Sequence, residues 1–214
     1  LGAISVPLFK LFRFDALKSR IQDADLGVVV TDLEGVVQLA GLGVATITRS
    51  DLGASAGTRA FVETGPEDAA TLIYTSGTTG KPKGALHGHR VLTGHLPGVE
   101  MSHDCLGQEG DVLWTPADWA WIGGLFDVLM PGLALGVPVV ASRMQKFDAG
   151  SCQNLVDRAG IRNVFFPPTA LRMLKATDTP IEGLRSIASG GEPLGAEMLA
   201  WGKDAFGTTI NEFY

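Results

Sequence analysis

Short apolar runs alternate with helical stretches through the second half of this 214-residue chain, and that alternation limits the fold more than any other feature. Asn163–Phe166, Arg185–Ser189 and Thr209–Tyr214 read as strands. Between them, Thr169–Ala176 is a short helix, and Gly195–Phe206 puts Met198, Trp201 and Ala205 on one side of another. Upstream, Ser151 caps a helix that carries Cys152, Leu155, Val156 and Ala159 on one stripe and ends at Gly160. Continuous apolar strands joined by helices cannot pair as hairpins. They require a parallel sheet covered on both faces, so the expected class is α/β, with layered, mostly parallel β-sheets under helices.

The first half is less regular. Asp15 caps a helix with Leu17, Ile21 and Ala24 on one face, closed by Gly27, and Val28–Val30 follows as a strand. Val36–Leu39 and Val44–Thr48 are weaker strand candidates, and Gly53–Gly57 reads as a surface loop. Arg90–Met101 is a poor helix candidate because Pro97 interrupts it. The apolar stretch Ile122–Ala141 contains Asp127, Pro131, Pro138 and several glycines, which predicts a buried helix followed by a strand rather than a membrane span.

One loop carries chemistry. Behind the apolar run Thr71–Tyr74, the residues Thr75, Ser76, Gly77, Thr78, Thr79, Gly80, Lys81, Pro82 and Lys83, closed by Gly84, bring together four hydroxyls, three glycines and two lysines. Glycines allow successive backbone N–H groups to point one way, forming an anion nest, and hydroxyls and lysines add donors and positive charge. The loop fits a polyphosphate. It is not the P-loop of ATPases, because two residues rather than four separate Gly77 from Gly80, and Pro82 stands where that motif has the magnesium-binding hydroxyl and opens a helix. The competing reading is a polar turn between two strands.

The string Tyr74 to Gly84 resembles the phosphate-binding signature of the AMP-forming adenylating enzymes, which include acyl-CoA synthetases, luciferases and the adenylation domains of peptide synthetases. Three further segments are similar in kind and order: Phe165-Phe166-Pro167-Pro168-Thr169, Ser189-Gly190-Gly191-Glu192-Pro193-Leu194, and Ile210-Asn211-Glu212-Phe213-Tyr214. The resemblance implies the central part of the large domain of an acyl-CoA synthetase-like enzyme, with roughly 1–70 ending a first subdomain, 71–214 binding nucleotide and acyl group, and the C-terminal domain absent. It implies that Thr75–Lys83 holds the ATP phosphates and that Gly191, Glu192, Pro193, Glu212, Phe213 and Tyr214 line adenine. The catalytic lysine and magnesium-binding glutamate of the family are expected outside the chain, so no catalytic residue is assigned and the isolated fragment is expected to be inactive. ATP, Mg and CoA are the implied cofactors of the full-length enzyme.

Trp119, Trp121, Ile122 and Gly123 are the implied acyl-pocket wall, in a pattern nearest the acetyl- and medium-chain acyl-CoA synthetase branch. The alternative is that the two tryptophans are core anchors. For Ser189–Leu194 the alternative is a plain helix-entry loop. His87 and His89 form a His-x-His pair with no acidic or cysteine partner at ligand spacing, so no metal site is assigned. A net charge of −6 excludes a basic nucleic-acid surface, and two cysteines, Cys105 and Cys152, suit a reduced cytoplasmic protein without a disulfide scaffold. The expected function is ATP-dependent activation of a small carboxylic acid to an acyl-adenylate and then a CoA thioester. Loading of a carrier protein, or a nucleotide-binding module without catalysis, are the alternatives. Self-association through truncated edges is also expected.

Overall fold

The computed structural model describes residues 2–52, 61–75, 82–142, 144 and 146–213. The chain forms two compact units, Leu1–His89 and Arg90–Tyr214.

In the first unit, helix α1 (Phe14–Asp23) leads to strand β1 (Val28–Val30), helix α2 (Leu33–Gln38), strand β2 (Ala45–Ile47) and the single turn α3 (Arg49–Leu52). β1 and β2 run parallel, with Val29 opposite Thr46. Two sequence expectations change here. Asp15 lies inside α1, whose flanking residues are Arg13 and Ala24, so neither Asp15 nor Gly27 bounds it. Val36–Leu39 is helical rather than extended, because Asp32 accepts a hydrogen bond from the Gly35 N–H at 3.0 Å and caps the turn. Gly53–Gly57 lies outside the described residues. Strand β3 (Ala69–Thr75) then pairs antiparallel with β4 (Lys83–Gly88), so the loop between them joins two strands.

The second unit holds the regular α/β core. Strands β5 (Leu113–Trp114), β6 (Asn163–Phe165), β7 (Ser186–Ser189) and β8 (Ile210–Glu212) form one parallel sheet in that order. Neighbouring residues on a strand point to opposite faces. Trp114, Val164 and Ile187 join one cluster with the helices α7 (Ala149–Ala159), α8 (Pro168–Ala176) and α9 (Ala196–Phe206). Leu113, Phe165 and Ala188 face the other way, toward Val99 of helix α4 (Arg90–Ser102) and Val128. Both faces are therefore covered, as the apolar strands require.

α4 is helical throughout despite Pro97, contrary to expectation. Val99 is 1% exposed, and the burial of that face against β7 and the neighbouring helices outweighs the single hydrogen bond that proline removes. The cap of α7 is Asp148, whose carboxylate accepts from the Ser151 N–H at 2.9 Å, so Ser151 is the capped residue rather than the cap. Ile122–Ala141 folds as helix α5 (Ile122–Gly124), a π-helical turn (Leu125–Leu129) and helix α6 (Met130–Leu135). The expected strand reduces to one bridge between Val139 and Leu113.

The amino ends of the central strands are held by a buried polar network. Arg185 donates to both carboxylate oxygens of Asp111 at 2.8 Å and to the carbonyls of His103 and Asp104 at 3.0 Å. The Asn163 amide donates to Asp111 at 3.0 Å and accepts from Arg185 and from the Ser186 hydroxyl. Ser186 in turn accepts from His103 Nδ1 at 2.8 Å. His103 is completely buried and its Nε2 has no partner, so the neutral ring is favoured. Burial, with the Arg185 charge beside it, pushes its pKa down to about 4.

Candidate nucleotide and acyl site

In open parallel sheets, ligands bind beyond the carboxyl ends of the strands. In the second unit that edge is formed by the residues after Trp114, Phe165, Ser189 and Glu212. Three of the four segments singled out in the sequence emerge there together. Phe166 N–H donates to the Ala188 carbonyl at 2.9 Å, and Phe213 N–H donates to the Ser189 carbonyl at 2.7 Å, which fixes the three strand exits side by side.

The loop after β7 is shaped by close approach and by a clamp. A Cβ on Gly190 would lie 2.9 Å from Phe213 Cβ, so only glycine lets the loop pass flush over the end of β8. Gly191 has φ +99°, a conformation that L side chains rarely adopt. Glu212 Oε1 accepts from the Leu194 N–H at 2.9 Å and ties the end of this loop to the sheet. Gly191, Glu192 and Pro193 are exposed, and Glu192 pairs with Arg172 of α8 at 2.8 Å. Phe213 is half-buried, its ring 5.7 Å from that of Phe165. Tyr214 lies outside the described residues.

Trp119, Trp121, Ile122 and Gly123 follow β5 at the same edge. Trp121 and Ile122 are 41% and 43% exposed, and Trp119 is half-buried, whereas the tryptophan that anchors the core is Trp114. A Cβ on Gly123 would come 2.9 Å from Phe165 Cε1, so the Phe165 ring joins the implied acyl segment to Phe213. Gly124 is as tightly placed, 2.5 Å from the Asp118 carbonyl by the same measure.

Two further groups, Asp127 and His95, were given no role from the sequence. Asp127, in the π-helical turn, has a carboxylate oxygen 3.8 Å from the position a Gly123 Cβ would take. Its other oxygen is 3.9 Å from His95 Nε2. Burial raises the Asp127 pKa to about 6, and the nearby His95 opposes the rise. The signal was available in the sequence, since Asp127 is the single ionisable side chain from Ile122 to Ala141.

The phosphate-loop candidates belong to the first unit. Thr75 and Lys83 are opposed at the loop end of the β3–β4 hairpin, and both are exposed. Pro82 precedes β4, while Ser76, Gly77, Thr78, Thr79, Gly80 and Lys81 lie outside the described residues. The stem below is rigidly placed: Tyr74 is buried and its hydroxyl donates to Asp23 at 2.5 Å, tying β3 to α1. Burial and the Asp23 carboxylate push the Tyr74 pKa up to about 12. The Arg20 guanidinium sits over the Phe12 ring at 4.1 Å and near Tyr74. His87 and His89 lie on and just after β4, and no group of three His, Cys, Asp or Glu able to hold a metal occurs among the described residues.

Residues 1–214 match the family model of the AMP-binding enzymes. The chain belongs to the AMP-binding enzyme family. Among its relatives is the acetyl-coenzyme A synthetase of Bacillus subtilis (strain 168), 29% identical over 237 residues, which covers 99% of this chain and 41% of that protein. The acetyl-coenzyme A synthetase of Alkalilimnicola ehrlichii is 30% identical over 250 residues, covering 94% of this chain and 37% of its own. The chain thus spans about two fifths of these AMP-binding relatives. The crystal structure of a Brucella canis acyl-CoA synthetase superposes with a TM-score of 0.85 at 29% identity, over 98% of this chain and 42% of the other. ATP-bound MatB from Rhodopseudomonas palustris shares the fold, with a TM-score of 0.79 at 23% identity, over 98% of this chain and 44% of the other. No helix among the described residues is long and apolar enough to cross a membrane.

Proposed function

We propose that the protein carrying this chain activates a small carboxylic acid with ATP and then transfers the acyl group to the thiol of coenzyme A. A carboxylate oxygen attacks the α-phosphorus and pyrophosphate leaves. The thiol sulfur then attacks the acyl carbon and AMP leaves. The observation that carries this reading is the convergence, at one carboxyl edge of a parallel sheet, of the Phe165, Gly190–Leu194 and Phe213 segments in a chain of the AMP-binding family. The acetyl-CoA synthetases among its relatives support CoA as the acceptor.

In this reading, residues 71–214 hold nucleotide and acid, and 1–70 complete a preceding subdomain. The exposed backbone of Gly191–Pro193 and the Phe213–Tyr214 pair take adenine. Thr75–Lys83 take the phosphates, where lysine charge and hydroxyl donors offset the charge that develops on the leaving pyrophosphate. Trp119–Gly123 bound the acid. Magnesium bound with the nucleotide would supply further neutralisation of the phosphate oxygens. The protein's own task is orientation: holding the carboxylate near the α-phosphorus converts a bimolecular encounter into a local one.

The test is ATP–pyrophosphate exchange by the full-length protein with acetate, butyrate, octanoate and benzoate. Exchange dependent on at least one acid is expected, and Lys83→Ala should lower it at least tenfold while leaving thermal unfolding in place. The folded protein failing to exchange with any acid, or indifference to Lys83→Ala, would overturn the assignment.

A further inference from the structure

An open cavity of about 590 Å³ beside α7 collects two cations that no described residue pairs with. Ser142, Met144 and Lys146 line it from the segment before the helix, and Asn154, Leu155 and Arg158 line it from the helix itself. Asn154 and Arg158 are four residues apart and so share one helical face. Lys146 and Arg158 are both exposed, and among the described residues no carboxylate lines the cavity. Asp148 stands close enough to feel the Lys146 charge, but its carboxylate is committed to the α7 cap. It accepts from the Ser151 N–H at 2.9 Å and from the Ser151 hydroxyl. In a chain of net charge −6, two unpaired cations in one such cavity are a local exception that draws anions.

The neutral donors are set by the core. Trp114 is wholly buried and donates its indole N–H to the Ser142 hydroxyl oxygen at 2.9 Å. That contact fixes the oxygen and leaves the hydroxyl hydrogen available to a ligand. Met144 and Leu155 are half-buried against the Trp114 cluster and give the cavity an apolar wall. Its place in the sheet is also suited to a ligand. Val139 bridges to Leu113 on the side of β5 away from β6, and the chain then leaves the sheet toward Ser142. Ser142 and Lys146 therefore belong to the carboxyl side of the sheet, where open parallel sheets bind ligands, on the flank away from β8.

Two cations match two negative charges. A phosphate monoester carries about −1.5 to −2 near pH 7, more than a carboxylate, and its oxygens accept from guanidinium, ammonium, hydroxyl and amide donors alike. We propose that this cavity binds a phosphate monoester, with Arg158 and Lys146 on the phosphate oxygens, Ser142 and Asn154 as neutral donors, and the organic body against Met144 and Leu155. None of these residues belongs to the segments assigned to ATP or to the acid, so the inference stands independently of those assignments.

The test is calorimetric titration of the full-length protein with phenyl phosphate, at fixed ionic strength and with ATP present to occupy the nucleotide site. Saturable binding is expected, and Lys146→Ala and Arg158→Ala should each weaken it at least tenfold. Lys203→Ala, which removes an equal charge from α9, should leave it in place. Inorganic phosphate, without the organic body, should bind at least tenfold more weakly than phenyl phosphate. Absence of saturable binding by the unmodified protein, a result that needs no variant to fold, would overturn the inference. So would unchanged affinity in folded Lys146→Ala and Arg158→Ala, or an equal loss in Lys203→Ala. Equal binding of inorganic phosphate would overturn the assignment to a monoester, since the apolar wall would then contribute nothing.

Discussion

At Gly123 a single methyl group decides whether two segments can meet. The added carbon of Gly123→Ala would press on the Phe165 ring, whose 4% exposure leaves little room to withdraw. Destabilisation by about 1–3 kcal/mol is expected from overpacking, measurable by urea unfolding. Arg185 is a different case. Its guanidinium satisfies a carboxylate whose side chain is 1% exposed, and removing it strands that charge. Arg185→Ala should therefore cost about 3–5 kcal/mol, while the exposed Arg172–Glu192 pair should contribute under about 1 kcal/mol. A denaturation series comparing Arg185→Ala with Arg172→Ala would test the contrast, and equal losses would contradict it.

Two elements of the second unit respond to acid in opposite directions. His103, in the turn after α4, has a folded pKa near 4, below its ordinary 6.5. The unfolded chain therefore binds the proton more readily, and stability present above pH 6.5 falls away as the pH drops toward 4, by about 3 kcal/mol in all. Asp127 has a folded pKa near 6, above its ordinary 3.8, so its contribution is complete below pH 3.8 and is lost as pH rises through 6. Unfolding measured from pH 4 to 7 should flatten in His103→Gln, and in Asp127→Asn the acid-side loss should steepen. In the first unit, Tyr74 ties β3 to α1 as a neutral phenol with pKa near 12, so its contribution should fade between pH 10 and 12. Absorbance titration of the tyrosines alongside unfolding would detect this.

Across the whole molecule, burial is uneven. Val164 and Ile187 at the centre of the four-stranded sheet are wholly buried, whereas Val28 and Val30 of the two-stranded sheet are 52% and 61% exposed. Amide exchange should follow: β6 and β7 amides should open only with global unfolding, and β1 and β2 amides through cheaper local openings. Equal protection in both sheets would mean that the burial pattern does not set the local stability.

The parallel α/β class was written in the sequence, because Asn163–Phe166, Arg185–Ser189 and Thr209–Tyr214 are short strand-length runs with helices between them. The segments on which the functional reading rests were legible for a related reason. Close backbone approach at Gly190 and left-handed backbone at Gly191 admit essentially one residue type, and such demands leave a local trace. What stayed hidden depends on partners distant in the chain. α4 keeps its helix through Pro97 because Val99 is buried against elements 25 or more residues away, and β4 exists because Lys83–Gly88 finds β3. Asp127 was visible as a lone charge in an apolar run, but its place beside Gly123 and opposite His95 required the π-helical turn and the packing of α4 against it. Local backbone requirements are recorded residue by residue, whereas the meeting of two side chains 32 positions apart is decided only when the sheet and its helices close around them.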